Sequence, residues 1–283
     1  MKIIMNILTE TYTLSNGVEI PKVGFGTWQI KAGEDAYNAV KNALEVGYRH
    51  IDTAQGYGNE KSVGRAIKDS GIPRDQIFVT SKLESHIKDY DKAKKAFDQT
   101  LEKLGMAYID LFIIHAPWPW NEMGKDCSEG NVEAYRALED AYKAGKAKAI
   151  GVSNFEVEHL QNILDNNNIV PHVNQIGYFI GIDQSNIIEF CRKNSVFIEA
   201  YSPLGIGFLL ENKTIQNIAK KYSKSPAQIC IRYLLQKGVV PLPKSVHKNR
   251  MVENSKLDFE IKTTDMKTLD AIEDDPRRWE EIN

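Results

Sequence analysis

Four side chains that can move or steer a proton recur along this chain at intervals of one strand–helix repeat. Asp52 and Tyr57 lie at and just after the end of one predicted strand. Lys82 and His115 end the next two predicted strands. A βαβ unit takes roughly 30 residues, and the parallel strands of a closed barrel bring their carboxyl ends to one mouth. We therefore expect these four side chains to share one pocket.

The tyrosine and the lysine are the members of this set that suit acid catalysis. A free tyrosine has a pKa of about 10 and is a poor acid near neutrality. A neighbouring ammonium lowers the pKa of the phenol, and a carboxylate such as Asp52 keeps Lys82 charged. His115 could donate a hydrogen bond to a carbonyl oxygen or relay a proton, the alternative being a satisfied core histidine. The set predicts protonation of a developing alkoxide, whereas an isolated Asp52–Lys82 ion pair would be merely structural.

Short apolar runs alternate with helical periods along the chain, which favours an α/β fold, a (β/α)8 TIM barrel. An N-terminal β-hairpin is predicted over residues 9–20. The barrel strands are predicted at Val23–Gly26, Arg49–Asp52, Ile77–Ser81, Ile109–His115, Ala147–Val152, His172–Gln175, Phe197–Tyr201 and Val239–Pro241. The connection Trp118–Gly130 is longer than a tight loop, and long connections are often functional. No linker divides the chain, so residues 1–283 are interpreted as one domain.

The composition argues against several classes of function. A net charge of −2 gives no global field that would attract nucleic acid. No apolar run reaches the roughly 18 residues of a membrane helix, so no membrane association is expected. The three cysteines have no C-x-x-C spacing, which suits the reducing cytoplasm. The six histidines are scattered, and no metal site is predicted.

Polar and planar side chains also end the later strands. Ser153 and Asn154 follow the fifth predicted barrel strand, Gln175 ends the sixth and Tyr201 ends the seventh. A nicotinamide ring needs hydrogen-bond partners for its carboxamide and a planar group against one face. These four residues could supply both.

Two basic residues follow the eighth predicted strand. Phosphate sites in barrels commonly form around strands 7 and 8 and a short extra helix. Lys244 and Arg250 would offer a charge and a planar fork to a ribose 2′-phosphate, although each alone could be a solvated surface charge. The segment 24–29, Gly-Phe-Gly-Thr-Trp-Gln, lacks the third glycine of a dinucleotide fingerprint and does not predict a Rossmann site.

Taken together, these segments resemble the aldo-keto reductase family, in its short-loop bacterial form similar to diketogluconate reductases, from about residue 12 to about residue 260. Any one of them would be a weak signal, but five occur in the family's order and spacing. The matching segments are 47–54 with Tyr57, Asn59 and Glu60; 80–83; 110–115; 151–155; and 243–246 with Arg250, Glu253 and Asn254.

The resemblance implies a barrel that reduces aldehydes or ketones with NADPH and without metal. By the family's pattern Tyr57 is the general acid, Lys82 lowers its pKa, Asp52 pairs with Lys82 and His115 orients the carbonyl. The pattern assigns the cofactor to Ser153, Asn154, Gln175, Tyr201, Ser202, Leu204, Gly205, Lys244, Ser245, Arg250, Glu253 and Asn254. The expected partner is a small-molecule carbonyl compound, and the protein is expected to be a monomer.

The substrate pocket is expected to use Trp28, Trp118 and Trp120, with Trp279 the one contribution expected from a short C-terminal tail. Three tryptophans around an open pocket suggest acceptance of apolar or aromatic carbonyls. One alternative is an NADPH-binding sensor or scaffold protein with little turnover, since fold does not determine function. Another makes Lys82 a Schiff-base nucleophile, which a charged lysine paired with Asp52 would not be.

Overall fold

Eight parallel strands form the centre of the computed structural model, which describes residues 7–273. They pair in chain order from β3 to β10. The first and last strands are joined by hydrogen bonds from Gly24 N–H to the Pro241 carbonyl (3.0 Å) and from Gly26 N–H to the Pro243 carbonyl (3.1 Å). These bonds close the sheet into the expected barrel, so the carboxyl ends of all eight strands lie at one mouth.

The strands are β1 Thr11–Thr13, β2 Glu19–Pro21, β3 Phe25–Gly26, β4 His50–Asp52, β5 Phe78–Leu83, β6 Ile109–Ile114, β7 Ala147–Ser153, β8 Val173–Gly177, β9 Phe197–Tyr201 and β10 Val240–Leu242. The helices are α1 Glu34–Val46, α2 Glu60–Asp69, α3 Tyr90–Leu104, α4 Ser128–Lys143, α5 Val157–Asn166, α6 Ser185–Lys193, α7 Lys213–Tyr222, α8 Pro226–Gln236, α9 Lys248–Ser255 and α10 Thr263–Asp270.

The predicted hairpin is present, and it packs under the barrel. Strands β1 and β2 pair antiparallel, with Tyr12 opposite Ile20. Leu14 and Ile20 belong to the same buried apolar cluster as Leu111 and Val173 of the barrel strands. The hairpin therefore covers the end of the barrel away from the mouth, and the interior is packed there with apolar side chains.

Local sequence explains where the helices begin and end. Ser225 caps α8 in a reciprocal box with Gln228, and Pro226 occupies the first helical turn, where its missing N–H costs nothing. Gly105 ends α3 with φ of 65°, a left-handed conformation that glycine adopts without strain. One face of each helix packs on the barrel, in a cluster that includes Val40, Phe97 and Leu138.

Most barrel-strand bounds differ from the predicted ones by one or two residues, and three differences affect the description of the site or the fold. Helix α4 begins at Ser128, so the long connection predicted to run to Gly130 ends at Cys127. The strand expected to end with His115 ends at Ile114, and His115 N–H bonds to the Leu83 carbonyl at 3.2 Å. Helix α10 was not predicted. Within residues 7–273, no helix combines the length and apolar character needed to cross a membrane.

Candidate active site

The Lys82 ammonium is the centre of the polar cluster at the barrel mouth. It projects from β5 and is fully buried. Its Nζ donates to the two Asp52 carboxylate oxygens at 2.7 and 2.8 Å and to the Thr53 carbonyl at 2.9 Å. Asp52 ends the neighbouring strand β4, which pairs in parallel with β5. Adjacent parallel strands thus place the two charges in contact, as the sequence predicted.

Tyr57 and His115 complete the predicted set. The Tyr57 hydroxyl lies 3.3 Å from Lys82 Nζ, and the Tyr57 and His115 rings are 5.6 Å apart in an edge-on arrangement. Tyr57 ends a single 3-10 turn that follows β4. Gln55 anchors this turn by donating to the Ala96 carbonyl at 2.8 Å. The four side chains therefore share one pocket, although 63 positions separate Asp52 from His115 along the chain.

Asn59 holds the loop that carries Tyr57 against the first barrel strand. Its side-chain amide donates to the carbonyls of Thr27 and Ile30, both at 3.1 Å. Its side-chain oxygen accepts from the Thr53 hydroxyl at 2.7 Å. These contacts of the buried Asn59 side chain fix the loop that presents Tyr57.

Burial and charge act in opposite directions on the two central groups. Burial opposes the ammonium of Lys82, yet Asp52 and Tyr57 together hold its pKa above the usual value. Burial raises the pKa of Tyr57, and Lys82 partly offsets that rise. Lys82 thus acts on the pKa of Tyr57 in the predicted direction, but the site as a whole keeps Tyr57 a phenol.

The imidazole of His115 is neutral in this environment. Burial, and then the nearby Lys82 charge, hold the pKa of His115 well below its usual range. Its Nδ1 has no hydrogen-bond partner among residues 7–273. A neutral imidazole retains one N–H and one acceptor nitrogen, so it can still donate to a carbonyl oxygen.

Gln175 connects this cluster to a second carboxyl group, which the sequence reasoning missed. Its Nε2 donates to Asp52 Oδ2 and to Glu199 Oε2, both at 2.9 Å. Glu199 lies on β9 and is fully buried. A signal was available: Glu199 stands two residues before Tyr201 in an otherwise apolar strand, and residues two apart face the same side.

Three other residues predicted to bind the cofactor are bonded to one another at the mouth. The Tyr201 hydroxyl donates to Asn154 Oδ1 at 2.8 Å. The amide of Asn154 donates to the His115 carbonyl at 3.0 Å and to Ser153 Oγ at 3.1 Å. Asn154 has φ of 60°, in the left-handed region that asparagine enters more readily than most non-glycine residues. The structure thus brings these side chains together next to His115.

The turn after β9 carries Ser202, Leu204 and Gly205. Ser202 and Ile206 both have positive φ, at 51° and 56°. The Gly205 N–H bonds to the Ser202 carbonyl at 2.9 Å. At Gly205 an added Cβ would overlap the Phe208 ring, which explains the glycine there.

The basic pair lies beyond β10, at the start of α9. Lys244 and Arg250 are both exposed, and neither forms an ion pair with the residues that the structure describes. Ser245 is buried, and its Oγ accepts from His247 N–H at 3.0 Å. Farther along α9, Glu253 is exposed and Asn254 is buried.

The three tryptophans predicted to bind substrate line the outer rim. Trp120 is 46% exposed and stands edge-on to His115 with 5.5 Å between ring centroids. Trp118 packs 6.4 Å from Trp120. Trp28 is 40% exposed. Trp279 lies outside the described residues.

Metal binding was not expected for this site. Among residues 7–273, His, Cys, Asp and Glu side chains form no group of three that could hold an ion.

A closed parallel barrel with its polar side chains gathered at the carboxyl ends of the strands defines a (β/α)8 barrel protein. The model of the Aldo/keto reductase family matches residues 22–274. The chain belongs to this family, which supports its assignment as an oxidoreductase that acts on carbonyl groups with a nicotinamide cofactor.

Individual relatives agree with this assignment. The chain is 42% identical over 271 residues to the glyoxal reductase of Bacillus subtilis (strain 168), covering 95% of each chain. The crystal structure of MGS-M4, an aldo-keto reductase from a Medee basin deep-sea metagenome library, superposes with a TM-score of 0.87 at 44% identity, covering 93% of this chain and 95% of that one. A Bombyx mori aldo-keto reductase in complex with NADP superposes with a TM-score of 0.85 at 32% identity, covering 96% and 97%.

Proposed function

We propose that this protein reduces aldehydes and ketones to alcohols with NADPH, and that Tyr57 is the general acid. One observation carries the proposal: a buried ammonium, Lys82, touches both the Asp52 carboxylate and the Tyr57 hydroxyl at the barrel mouth. Family membership supports the reaction class. The cofactor and the roles of individual residues are inferred from the chemistry of the side chains.

The residues at the mouth suit a nicotinamide cofactor. NADPH supplies a hydride when bound, so the protein must provide a proton and hold the reacting carbonyl. The Gln175 side-chain oxygen accepts no hydrogen bond from residues 7–273 and is suited to a carboxamide N–H. Ser153 and Asn154 would complete that contact by exchanging bonds they now make with each other, and Tyr201 would stack on the ring.

The phosphates would lie between the turn after β9 and the start of α9. Ser202, Leu204 and Gly205 present backbone at the mouth, which suits the pyrophosphate. Lys244 and Arg250 have no carboxylate partner among the described residues, so their charges are free to neutralise a 2′-phosphate, which Ser245 adjoins.

Two residues of α9 are candidates for binding the adenine. Glu253 and Asn254 follow Arg250 along the same helix. We assign them the adenine amino group and ring edge, following the family's pattern.

We infer the source of the proton from the geometry of the four residues Asp52, Tyr57, Lys82 and His115. As negative charge develops on the carbonyl oxygen, the Tyr57 hydroxyl gives its proton to that oxygen and becomes a phenolate. Lys82 lies 3.3 Å away and stabilises the phenolate charge. Asp52 keeps Lys82 charged throughout, and the neutral His115 donates its N–H to the carbonyl oxygen and fixes its direction. General acids of this kind contribute roughly 10²–10⁴-fold to the rate.

The tryptophan side chains at the rim of the mouth are the basis for the proposed substrate class. Trp28, Trp118 and Trp120 offer planar apolar surface, and we propose that aldehydes and ketones with aromatic or apolar substituents bind there. The name of the Bacillus subtilis relative, glyoxal reductase, adds small dicarbonyls to the compounds worth testing.

The free cysteines are typical of a protein in a reducing compartment. All three are free thiols, and Cys191 and Cys230 are buried. We propose the cytoplasm as the location, where thiols stay reduced.

The test is consumption of NADPH, followed by its dihydronicotinamide absorbance, with aromatic aldehydes, dicarbonyls and keto-sugars as substrates. We expect Tyr57→Phe to lose at least about 100-fold in kcat, because no other acid replaces the phenol, while NADPH still binds with wild-type affinity. Tyr37→Phe, on α1 away from the mouth, is the matched control. Tight NADPH binding without turnover of any carbonyl in the wild type would favour the sensor alternative, and full activity in Tyr57→Phe would remove Tyr57 from the acid role.

A further inference from the structure

Below the residues at the mouth lies a second polar layer inside the barrel. His50, Thr80 and Glu199 each stand two positions before a mouth residue on the same strand, namely Asp52, Lys82 and Tyr201. All three are fully buried. His50 Nε2 lies 3.0 Å from Thr80 Oγ1 and 3.5 Å from Glu199 Oε1. An acid and a base thus adjoin each other directly behind the site.

The charges in this region do not balance if both carboxyl groups are ionised. The only cation within contact of Asp52 among the described residues is Lys82, which bonds both Asp52 oxygens. Glu199 has the Gln175 amide on one oxygen, and its other oxygen, Oε1, has His50 Nε2 at 3.5 Å but no hydrogen-bond partner in residues 7–273. A buried carboxylate without a charged partner is strongly disfavoured and normally takes up a proton.

We propose that Glu199 is a positioning residue for carbonyl reduction, holding with His50 one proton behind the site and, through Gln175, fixing Asp52 on Lys82. The inference rests on the proposed function. Gln175 Nε2 has two hydrogens, so one amide group serves both carboxyls. An ionised Glu199 would add a second buried negative charge beside Asp52 and compete with it for the Lys82 charge.

The strands packed around Glu199 bring few charged groups to it. Strand β4 contributes His50 and Asp52, and β5 contributes Lys82 beyond Thr80. Strand β8 contributes Gln175, which lies directly opposite Glu199 in the sheet register. Strand β10 contributes Val240 on the other side, which brings no charge. The single proton on the Glu199–His50 pair therefore decides the net charge of this layer.

The pKa directions agree with this arrangement. Burial, and then the Asp52 charge, raise the pKa of Glu199 to about 8. Burial, and then Lys82, lower the pKa of His50 to about 3, so the proton resides on the carboxyl. Loss of that proton places a second negative charge beside Asp52. A further anion disfavours the phenolate of Tyr57, makes Tyr57 a weaker acid and slows reduction as pH rises.

Glu199→Gln tests the inference because it keeps the shape and remains neutral at every pH. At about pH 7 we expect its kcat to stay within about threefold of wild type, whereas Glu199→Leu, which gives Gln175 no acceptor, loses about tenfold or more. Between about pH 7 and about pH 9 the wild-type kcat should fall at least threefold, and that of Glu199→Gln less than about twofold. Glu139→Gln is the matched control, since Glu139 is equally buried but lies on α4, where it accepts from the backbone N–H groups of Asn168 and Ile169 and is 3.7 Å from Lys143 Nζ.

A second measurement needs no substrate and follows the wild-type protein, with Glu199→Gln used only to assign the resonance. In the wild-type protein labelled with carbon-13 at the glutamate δ-carboxyl, we expect one resonance that titrates well above the others, and we expect Glu199→Gln to remove it. The absence of such a resonance, or identical pH profiles for wild type and Glu199→Gln, would overturn the proposal. If the resonance is present but the wild type reduces no carbonyl, the proposed function fails and the protonation of Glu199 stands.

Discussion

At the scale of single residues, the state of Lys82 decides what the mouth can do chemically. Its ammonium donates to Asp52, to the Thr53 carbonyl and to the Tyr57 hydroxyl. An ammonium has three hydrogens, so none remains free and no lone pair is available for attack on a carbonyl. The Schiff-base alternative would require an uncharged lysine, whereas Asp52 and Tyr57 raise the pKa of Lys82 against the effect of burial.

Lys82→Met should therefore abolish acid catalysis without removing the acid itself. We expect kcat to fall by at least about 100-fold, because Tyr57 is left buried with no cation to stabilise its phenolate. The Asp52 carboxylate also loses its partner, which should cost about 3–5 kcal/mol in the free energy of unfolding. Steady-state kinetics and urea denaturation measure the two effects.

The double variant Asp52→Asn with Lys82→Met separates the loss of activity from the loss of stability. Removing the unpaired charge should restore much of the stability but none of the activity. Recovery of turnover in the double variant would show that Lys82 acts only structurally. Lys146→Met, which removes an exposed ion pair with Asp98, controls for loss of a lysine.

At the scale of elements, the connection between β6 and α4 presents the tryptophan rim, and a lysine from another loop holds it. Lys88 Nζ donates to the Ala116 carbonyl and to Asn131 Oδ1, both at 2.7 Å. Asn131 in turn donates to the Pro117 carbonyl at 2.9 Å. The backbone that leads into Trp118 and Trp120 is thus tied to α4 through Lys88. Lys88 is half-buried, and this burial lowers its pKa to about 8.

Lys88→Met should loosen the rim while leaving the catalytic four in place. We expect KM for aromatic aldehydes to rise about tenfold, equivalent to about 1.4 kcal/mol of lost binding, with kcat little changed. Small aldehydes that do not reach Trp118 or Trp120 should show less effect, and the exposed Lys94→Met serves as control. An equal rise in KM for small and aromatic substrates would contradict a role in shaping the rim.

The segment from β10 into α9 is the element expected to select the cofactor. Replacing Lys244 and Arg250 with alanine removes the two charges assigned to the 2′-phosphate. We expect the Kd for NADPH to rise at least tenfold and the Kd for NADH to change by less than about twofold, since charge-assisted contacts are worth about 1.5–3 kcal/mol. Fluorescence titration measures both constants.

Lys248→Ala is the matched control on the same helix. Its ammonium is 2.5 Å from Glu45 on α1 and is already neutralised. Equal weakening of NADPH and NADH by the double alanine variant would contradict the 2′-phosphate assignment.

At the scale of the whole molecule, the barrel keeps several histidines buried and neutral. Burial is the largest cause of the lowered pKa of His50, of His115 and of His172. In the unfolded chain each of these groups takes up a proton near its ordinary pKa of about 6.5. As pH falls below that value the unfolded state binds more protons than the folded state, so stability is lost towards acid pH.

We expect the free energy of unfolding to fall between about pH 6.5 and about pH 4.5, by up to about 1.4 kcal/mol per pH unit for each buried histidine. Glu199, whose pKa is raised to about 8, acts in the opposite direction over this range because only its folded-state carboxyl is protonated, but three histidines outweigh one carboxyl. Urea denaturation at a series of pH values measures the slope. His86, which is exposed, supplies the control: His86→Asn should keep the wild-type slope, whereas His50→Asn should reduce it. A stability that is flat across this range would show that these histidines are charged in the folded protein.

Much of the fold was predictable from local patterns. The strands β6 and β9 begin where predicted, at Ile109 and Phe197, because a short apolar run between helical periods specifies a buried parallel strand. The start of α4 was misplaced: the polar residues from Ser128 onward resemble a loop, yet they form a helical turn that packs beside Lys88. Helix α10 carries little apolar periodicity and depends on contacts such as Lys221 with Asp265.

The order of Asp52, Tyr57, Lys82 and His115 along the chain was sufficient to predict one shared pocket, because strand period and repeat length are local properties and parallel strands end at the same face. The link from Gln175 to both Asp52 and Glu199 was not predictable in the same way. Gln175 and Asp52 are 123 positions apart, and their side chains meet across the interior only when the barrel closes. Closure decides which inward-facing polar groups become partners, and therefore where the second carboxyl group and its proton must reside.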